Sequence, residues 1–287
     1  ARCRADEAPD AGLLPAAQAR QGRVRLPPSE APAEPAADPD AQALRRARVE
    51  RDLPALGGER AGLEPDVVEI LGLGADAGPR DDADGDVRFA RSLPITDALH
   101  PDTIVATHMA GEPLSVDHGA PTRLIVPGWY GMASVKWLAR LEAITTPFTG
   151  YFQQQRYVYE IDGTVEPVRR ARVKSMITSP IDGGSCARAV TVQGWAWSGA
   201  GAIARVELAV NDAPVWIEAA LGTPVSAYAW TPFEAELMLP DAATATIRSR
   251  AMDTAGNTQP ERIQWNPLGY GNNAIRTVAV SVTDELR

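Results

Sequence analysis

Residues 118–137 read HGAPTRLIVPGWYGMASVKW, a stretch in which cations and glycines crowd an otherwise apolar run. Arg123-Leu124-Ile125-Val126 has the character of a short buried strand. Pro127-Gly128 ends it sharply, because proline lacks an amide donor and glycine accepts a turn. Around this strand stand His118, Arg123 and Lys136, three side chains able to carry positive charge, and Gly119, Gly128 and Gly131. Glycine lets backbone amides approach a ligand closely, and arginine offers a two-pronged donor to a phosphate or carboxylate. The stretch fits either an anion or phosphate site or a structural loop whose cations are solvated. It is neither a Walker loop nor a dinucleotide fingerprint, since neither glycine spacing occurs.

Working outward, Thr103-Ile104-Val105-Ala106 reads as a second strand, and Val67-Val68-Glu69-Ile70-Leu71 as a third that Gly72, Gly74 and Gly78 close into a loop. The acidic cluster Asp81, Asp82, Asp84 and Asp86 lacks the closing glutamate and glycine position of a calcium loop, so a solvated turn is expected. Within residues 134–144, Val135, Leu138, Leu141 and Ala143 alternate with Lys136, Arg140 and Glu142, a pattern that suits a short helix or a buried strand equally. Residues 61–168 thus read as part of a mixed α/β domain.

From residue 169 to residue 287 the texture changes to short runs with period-two alternation. Val190-Thr-Val-Gln-Gly-Trp-Ala-Trp, Ala204-Arg-Val-Glu-Leu-Ala-Val, Ala245-Thr-Ile-Arg-Ser-Arg-Ala and Thr277-Val-Ala-Val-Ser-Val are separated by turn signals such as Asp182-Gly183-Gly184, Asn211-Asp212 and Ala255-Gly256-Asn257. Such strands build an immunoglobulin-like β-sandwich, with Trp195, Trp197, Trp216 and Trp230 expected in core and edge packing. The overall class is α+β. Residues 1–60 are rich in Ala, Arg, Pro, Asp and Glu without a single aromatic residue, which points to a disordered or aberrant segment.

With 287 residues and 45% hydrophobic content, the chain can build two cores. Its net charge of -9 argues against nucleic-acid and anionic-membrane partners, which an acidic surface would repel. Neither a disulfide framework nor a zinc spacing can be built from its two cysteines, Cys3 and Cys186. No apolar run approaches a membrane span, so a soluble chain is expected, with cytoplasm and periplasm both open.

Three ordered blocks, RSLPITDAL, MAGEPLSVDHGAPTRLIVPGWYGMASVKWLARLEAI and GYFQQQRYVYE, resemble the second half of the molybdopterin domain of the sulfite oxidase family. SPIDG, VQGWAWSGAGAIARVELAVN, AYAWTPFE, AMDTAGNTQPE and WNPLGYGNNAI resemble that family's C-terminal dimerisation domain. The resemblance implies a molybdenum–molybdopterin cofactor contacted by Asp76, His118, Arg123, Ser134, Val135 and Lys136, with Tyr157 as the active-site tyrosine. It also implies oxygen-atom transfer to a small oxyanion such as sulfite, electrons passing to oxygen or an external acceptor, and a homodimer. No haem is expected, because no CxxCH motif occurs. Two departures stand out. The family's metal-binding cysteine, in a CAGN-type motif, has no match: the neighbours of Cys3 differ, and Cys186 falls in the sandwich. An arginine that follows Trp-Asn in sulfite oxidases is replaced here, where Trp265-Asn266 leads to Pro267 and Leu268. The alternative function is therefore an inactive remnant acting as a dimerising β-sandwich module.

Overall fold

The computed structural model describes residues 63–283. The segment 1–60 and Cys3 lie outside the described residues. In chain order, β1 (Glu69–Arg80) and β2 (Ala83–Pro94) form a long antiparallel hairpin, followed by α1 (Ile95–Ala98) and β3 (Ile104–Ala106). Next come the two-residue strands β4 (His108–Met109) and β5 (Glu112–Pro113), then β6 (Arg123–Ile125), β7 (Leu138–Ile144) and α2 (Tyr151–Gln154). The hairpin of β8 (Val158–Ile161) and β9 (Thr164–Pro167) completes this region. The expected α component is small: among the described residues the α-helices are α1 and α2, four residues each.

Two expectations are corrected or decided by packing around β1. Gly72, Gly74 and Gly78 do not close the strand, because all three lie inside it. A Cβ on Gly74 would stand 2.3 Å from Asp76 Oδ1 and 3.2 Å from Lys136 O, so glycine here marks close backbone approach rather than a turn. Residues 138–144 are strand, not helix, because β7 completes the sheet β2-β1-β7 by pairing Ile70 with Ala143 and Gly72 with Leu141. Below the sheet lies a core of Ile70, Leu93, Leu124, Val126, Trp129, Val135 and Leu141. β3 and β6 are strands where the sequence places them, and the fold pairs them antiparallel with each other.

The second region holds β10 (Lys174–Ser179), β11 (Ser185–Ala187), β12 (Ala189–Trp197), β13 (Ile203–Val210), β14 (Ile217–Glu218), β15 (Ala220–Leu221), β16 (Thr231–Met238), β17 (Thr244–Asp253) and β18 (Thr277–Thr283). They form two sheets, β10-β12-β16-β15 and β11-β18-β17-β13-β14. A shared core of Val190, Val192, Phe233 and Leu237 from the first and Val206, Leu208, Ile247 and Val280 from the second joins them. The tryptophans do not belong to this core. Alternation along β12 turns Val190, Val192 and Ala196 inward, which forces Trp195 and Trp197 outward. Trp195 is 43% exposed, Trp197 stacks on Trp230, and Trp216 lies beneath Arg250.

The two regions meet along a backbone seam. Ala171 N donates to Gly128 O at 2.9 Å and Gly199 N to Ala171 O at 2.9 Å. No side chain fits there, since a Cβ on Gly199 would stand 1.8 Å from Gly128 O. Side-chain ties flank the seam: Arg170 pairs with Asp97, and Tyr228 Oη donates to Asp102 Oδ2 at 2.6 Å.

Candidate cofactor and substrate site

The stretch 118–137 folds back on itself into a double strip. A 3-10 turn, Val116–His118, ends in Gly119 with φ +100, a conformation that favours glycine. Trp137 N then donates to Gly119 O at 3.2 Å, Leu138 N to Thr122 O at 2.8 Å, and Leu124 N to Val135 O at 2.9 Å. These bonds press Gly119 onto Lys136 so closely that a Cβ at residue 119 would lie 2.8 Å from Lys136 Cβ. β1 runs along the far side of the same segment, with Ala75 N donating to Trp137 O at 2.8 Å. Asp76, Gly119 and Lys136 are thereby brought to one place, although residues 76 and 136 are far apart in sequence.

The side chains of this cradle are partly committed. His118 Nδ1 shares a 2.7 Å hydrogen bond with Ser115 Oγ, so the histidine does tie down its own turn, while Nε2 makes no hydrogen bond among the described residues. Lys136 Nζ donates to Asp117 O at 3.1 Å and stands 4.3 Å from the Trp137 ring centroid. Arg123 forms no ion pair with Asp117, and its buried Nε has no hydrogen-bond partner. Ser134 Oγ accepts from Val126 N at 3.1 Å, which leaves its proton to donate. Val135 is fully buried in the core, and its backbone oxygen accepts from Leu124 N at 2.9 Å.

A second cluster surrounds Tyr157, at φ +49 just before β8. Its ring stands 6.4 Å from Phe89, 6.0 Å from Phe152 and 5.3 Å from Tyr270, the last contributed by the C-terminal region. Tyr157 Oη makes no hydrogen bond among the described residues. It opens on a hollow of about 200 Å³ lined by Arg80, Tyr151, Phe152, Arg156, Tyr157 and Tyr270. Arg156 Nη2 pairs with Asp82 Oδ2 at 2.8 Å and its Nε donates to Tyr151 Oη at 2.8 Å. The Tyr151 hydrogen bond, then the guanidinium of Arg156, holds the Asp82 carboxyl below its ordinary range even though Asp82 is exposed. One residue of the acidic turn thus ties the β1–β2 tip to the loop that carries Tyr157. Among the described residues, no group of three or more His, Cys, Asp or Glu side chains is placed to hold a metal ion.

Behind Tyr157, fully buried Arg91 on β2 spans the loop, its guanidinium bonded to Phe152 O and, at 2.7 Å, to Val168 O. Val168 N donates to Tyr157 O at 2.7 Å, so Arg91 holds both ends of the segment presenting the tyrosine. Desolvation, reinforced by Arg169, pushes its pKa down to about 10. Arg80, Arg91, Arg156 and Tyr270 escaped the sequence reading. Arg91, Arg156 and Tyr270 lay within the quoted blocks RSLPITDAL, GYFQQQRYVYE and WNPLGYGNNAI, but nothing in those blocks reports that the chain brings them around Tyr157.

Two family descriptions match this chain: an oxidoreductase molybdopterin binding domain over residues 58–152 and a Mo-co oxidoreductase dimerisation domain over residues 166–283. The chain belongs to the sulfite oxidase family. Among relatives, mitochondrial sulfite oxidase of Drosophila melanogaster is 32% identical over 252 residues, 77% of this chain and 43% of that protein. A nitrate reductase [NAD(P)H] of Betula pendula is 30% identical over 69% of this chain and 26% of its own length. The chain therefore spans less than half of these relatives. The sulfane dehydrogenase SoxCD of Paracoccus pantotrophus has a similar structure, with a TM-score of 0.62 at 29% identity over 76% of this chain and 56% of that one.

The family implies a molybdopterin group, and the cradle suits its pterin and phosphate. Arg123 Nε is a buried donor without a partner, and Gly119 lets the backbone beside His118 pack directly on Lys136. The metal's thiolate is another matter. Cys186 is fully buried in the C-terminal core, away from the cradle, and Cys3 lies outside the described residues. At the second departure, Leu268 is 37% exposed, while Asn266 Nδ2 donates to Tyr270 O at 2.7 Å and so sets the turn that delivers Tyr270 to Tyr157.

Proposed function

We propose that this chain is the C-terminal part of the cofactor domain, residues 61–168, and the dimerising immunoglobulin-type sandwich, residues 169–287, of a molybdenum-cofactor-dependent oxidoreductase of the sulfite oxidase type. The observation that carries this reading is the convergence of Asp76, His118, Gly119, Arg123 and Lys136 on one strip, with the Arg123 Nε donor unpartnered. His118 Nε2, Arg123 and the Ser134 hydroxyl donate to the pterin and its phosphate, and Lys136 adds a point charge. Asp76 accepts from pterin amino groups. When bound, the group supplies two-electron oxygen-atom transfer to a small oxyanion, with oxygen or an external carrier as the electron acceptor.

The protein's own contribution centres on Tyr157. Its phenol donates a hydrogen bond to an anionic oxygen of the substrate and can pass a proton to solvent through the hollow. The rings of Phe89, Phe152 and Tyr270 fix its orientation and lower the local dielectric, which strengthens that bond. Support for a homodimer comes from the match of residues 166–283 to a dimerisation domain and from the exposed apolar face holding Met176, Trp195 and Leu221.

The test is to purify the chain from a host that makes the cofactor and to measure molybdenum, pterin and sulfite-dependent reduction of an artificial acceptor. Near-stoichiometric molybdenum and pterin are expected, with turnover falling at least tenfold in Tyr157→Phe. Protein free of both metal and pterin would overturn the proposal.

A further inference from the structure

We infer that the hollow beside Tyr157 takes a small organic anion, with its charge on Arg80 and its apolar body against Phe152 and Tyr270, in preference to a bare inorganic oxyanion. This rests on the reading of Tyr157 as the residue that meets the substrate.

The two arginines of the hollow are not equivalent. Arg156 is paired with the Asp82 carboxylate at 2.8 Å and donates to Tyr151 Oη, so its charge is largely committed. The Arg80 side chain has no hydrogen bond or carboxylate partner among the described residues. Its guanidinium lies 5.1 Å from the Phe152 ring centroid, a cation–π placement that orients it without satisfying its five donors. The nearby carboxylates do not cancel it: Asp82 is consumed by Arg156, and Asp81, Asp84 and Asp86 are exposed at the hairpin tip, where water and salt screen them. A guanidinium with free donors at the rim of a pocket is a ready partner for a carboxylate, sulfinate or sulfonate.

The remaining walls argue against a ligand that is all charge. Four of the six lining residues are aromatic, and the C-terminal region contributes Tyr270 rather than a further cation. The phenol hydroxyls and Arg80 can meet an anionic head of either kind, but the ring faces return no hydrogen bond to an inorganic oxyanion, whereas an aryl or alkyl group gains from contact with them. A volume of about 200 Å³ suits one small ring or short alkyl chain beside the anionic head.

The test is isothermal titration calorimetry on the whole chain with benzenesulfinate, sulfite and the neutral methyl phenyl sulfone. Benzenesulfinate should bind at least tenfold more tightly than either of the others. Arg80→Gln should weaken it about tenfold, and Tyr270→Leu should erase its advantage over sulfite. Arg188→Gln, a change remote on the sandwich, should do neither. Sulfite binding as tightly as benzenesulfinate, or Arg80→Gln leaving the affinity unchanged, would overturn the inference. Molybdenum and pterin measured on the same sample separate the two proposals: Arg80-dependent binding by cofactor-free protein would keep the anion site and sink the cofactor reading, and the reverse result would do the opposite.

Discussion

Replacing Arg91 with methionine tests whether one buried cation holds the loop that presents Tyr157. The guanidinium is fully buried and bonds Phe152 O and Val168 O, and Val168 N in turn holds Tyr157 O at 2.7 Å. Methionine matches the stem but strands two buried carbonyls, each costing about 1–3 kcal/mol when left without a donor. Against this, the change relieves the burial of a charge whose pKa desolvation has pushed down to about 10. The balance predicts a loss of about 2–4 kcal/mol, with lysine at this position intermediate because it can satisfy fewer carbonyls. Urea unfolding followed by tryptophan fluorescence should show a lower midpoint at an unchanged slope. Benzenesulfinate affinity should fall as well, because the Tyr157 wall loosens. A midpoint shift worth under about 0.5 kcal/mol, the range of an ordinary surface substitution, would refute the role given to Arg91.

Two further outcomes follow from particular contacts. Gly119→Ala places a methyl 2.8 Å from Lys136 Cβ at φ +100, so it should cost about 1–3 kcal/mol and lower molybdenum and pterin content more than stability alone explains; full cofactor loading would contradict the cradle. Burial raises the Asp253 pKa, but hydrogen bonds from Ser198, the Asn257 side chain and the backbone of Asn257 and Ala255 outweigh it and hold the carboxyl below its ordinary range. A carboxyl depressed in the folded state stabilises the protein above its unfolded pKa of about 3.9, and that stability is lost as pH falls through the folded value. Asp253→Asn should therefore flatten the fall in unfolding free energy between neutral pH and pH of about 3, measured by urea titration at each pH.

Much of the C-terminal region was legible because alternation and turn residues are local signals. β12, β13, β17 and β18 all fall where period-two runs place them. β16 escaped because Pro232 and two glutamates mask its pattern, although they are tolerable there, opposite Trp195 and on the solvent face. Ring size suggested a partly core role for the tryptophans, whereas their phase along β12 points Trp195 and Trp197 outward. In the N-terminal region the glycines of β1 carried the wrong message, and at Gly74 the physical reason is plain: the need for glycine came from the close approach of Asp76 and of Lys136 O, not from a turn in the chain.

The opening stretch shows where local information stops. Its cations, glycines and strand are written in consecutive residues, and the chemistry of an anion cradle can be inferred from them alone. What no run of residues contains is long-range proximity: Asp76 and Lys136 brought together beside Gly74, Arg91 bracing the Tyr157 loop, Tyr270 delivered from the far end of the chain, and Arg156 neutralised by Asp82 while the Arg80 side chain has no partner among the described residues. Those pairings arise when separate strands compete to bury apolar faces and satisfy backbone donors. They set which charges remain free to meet a ligand.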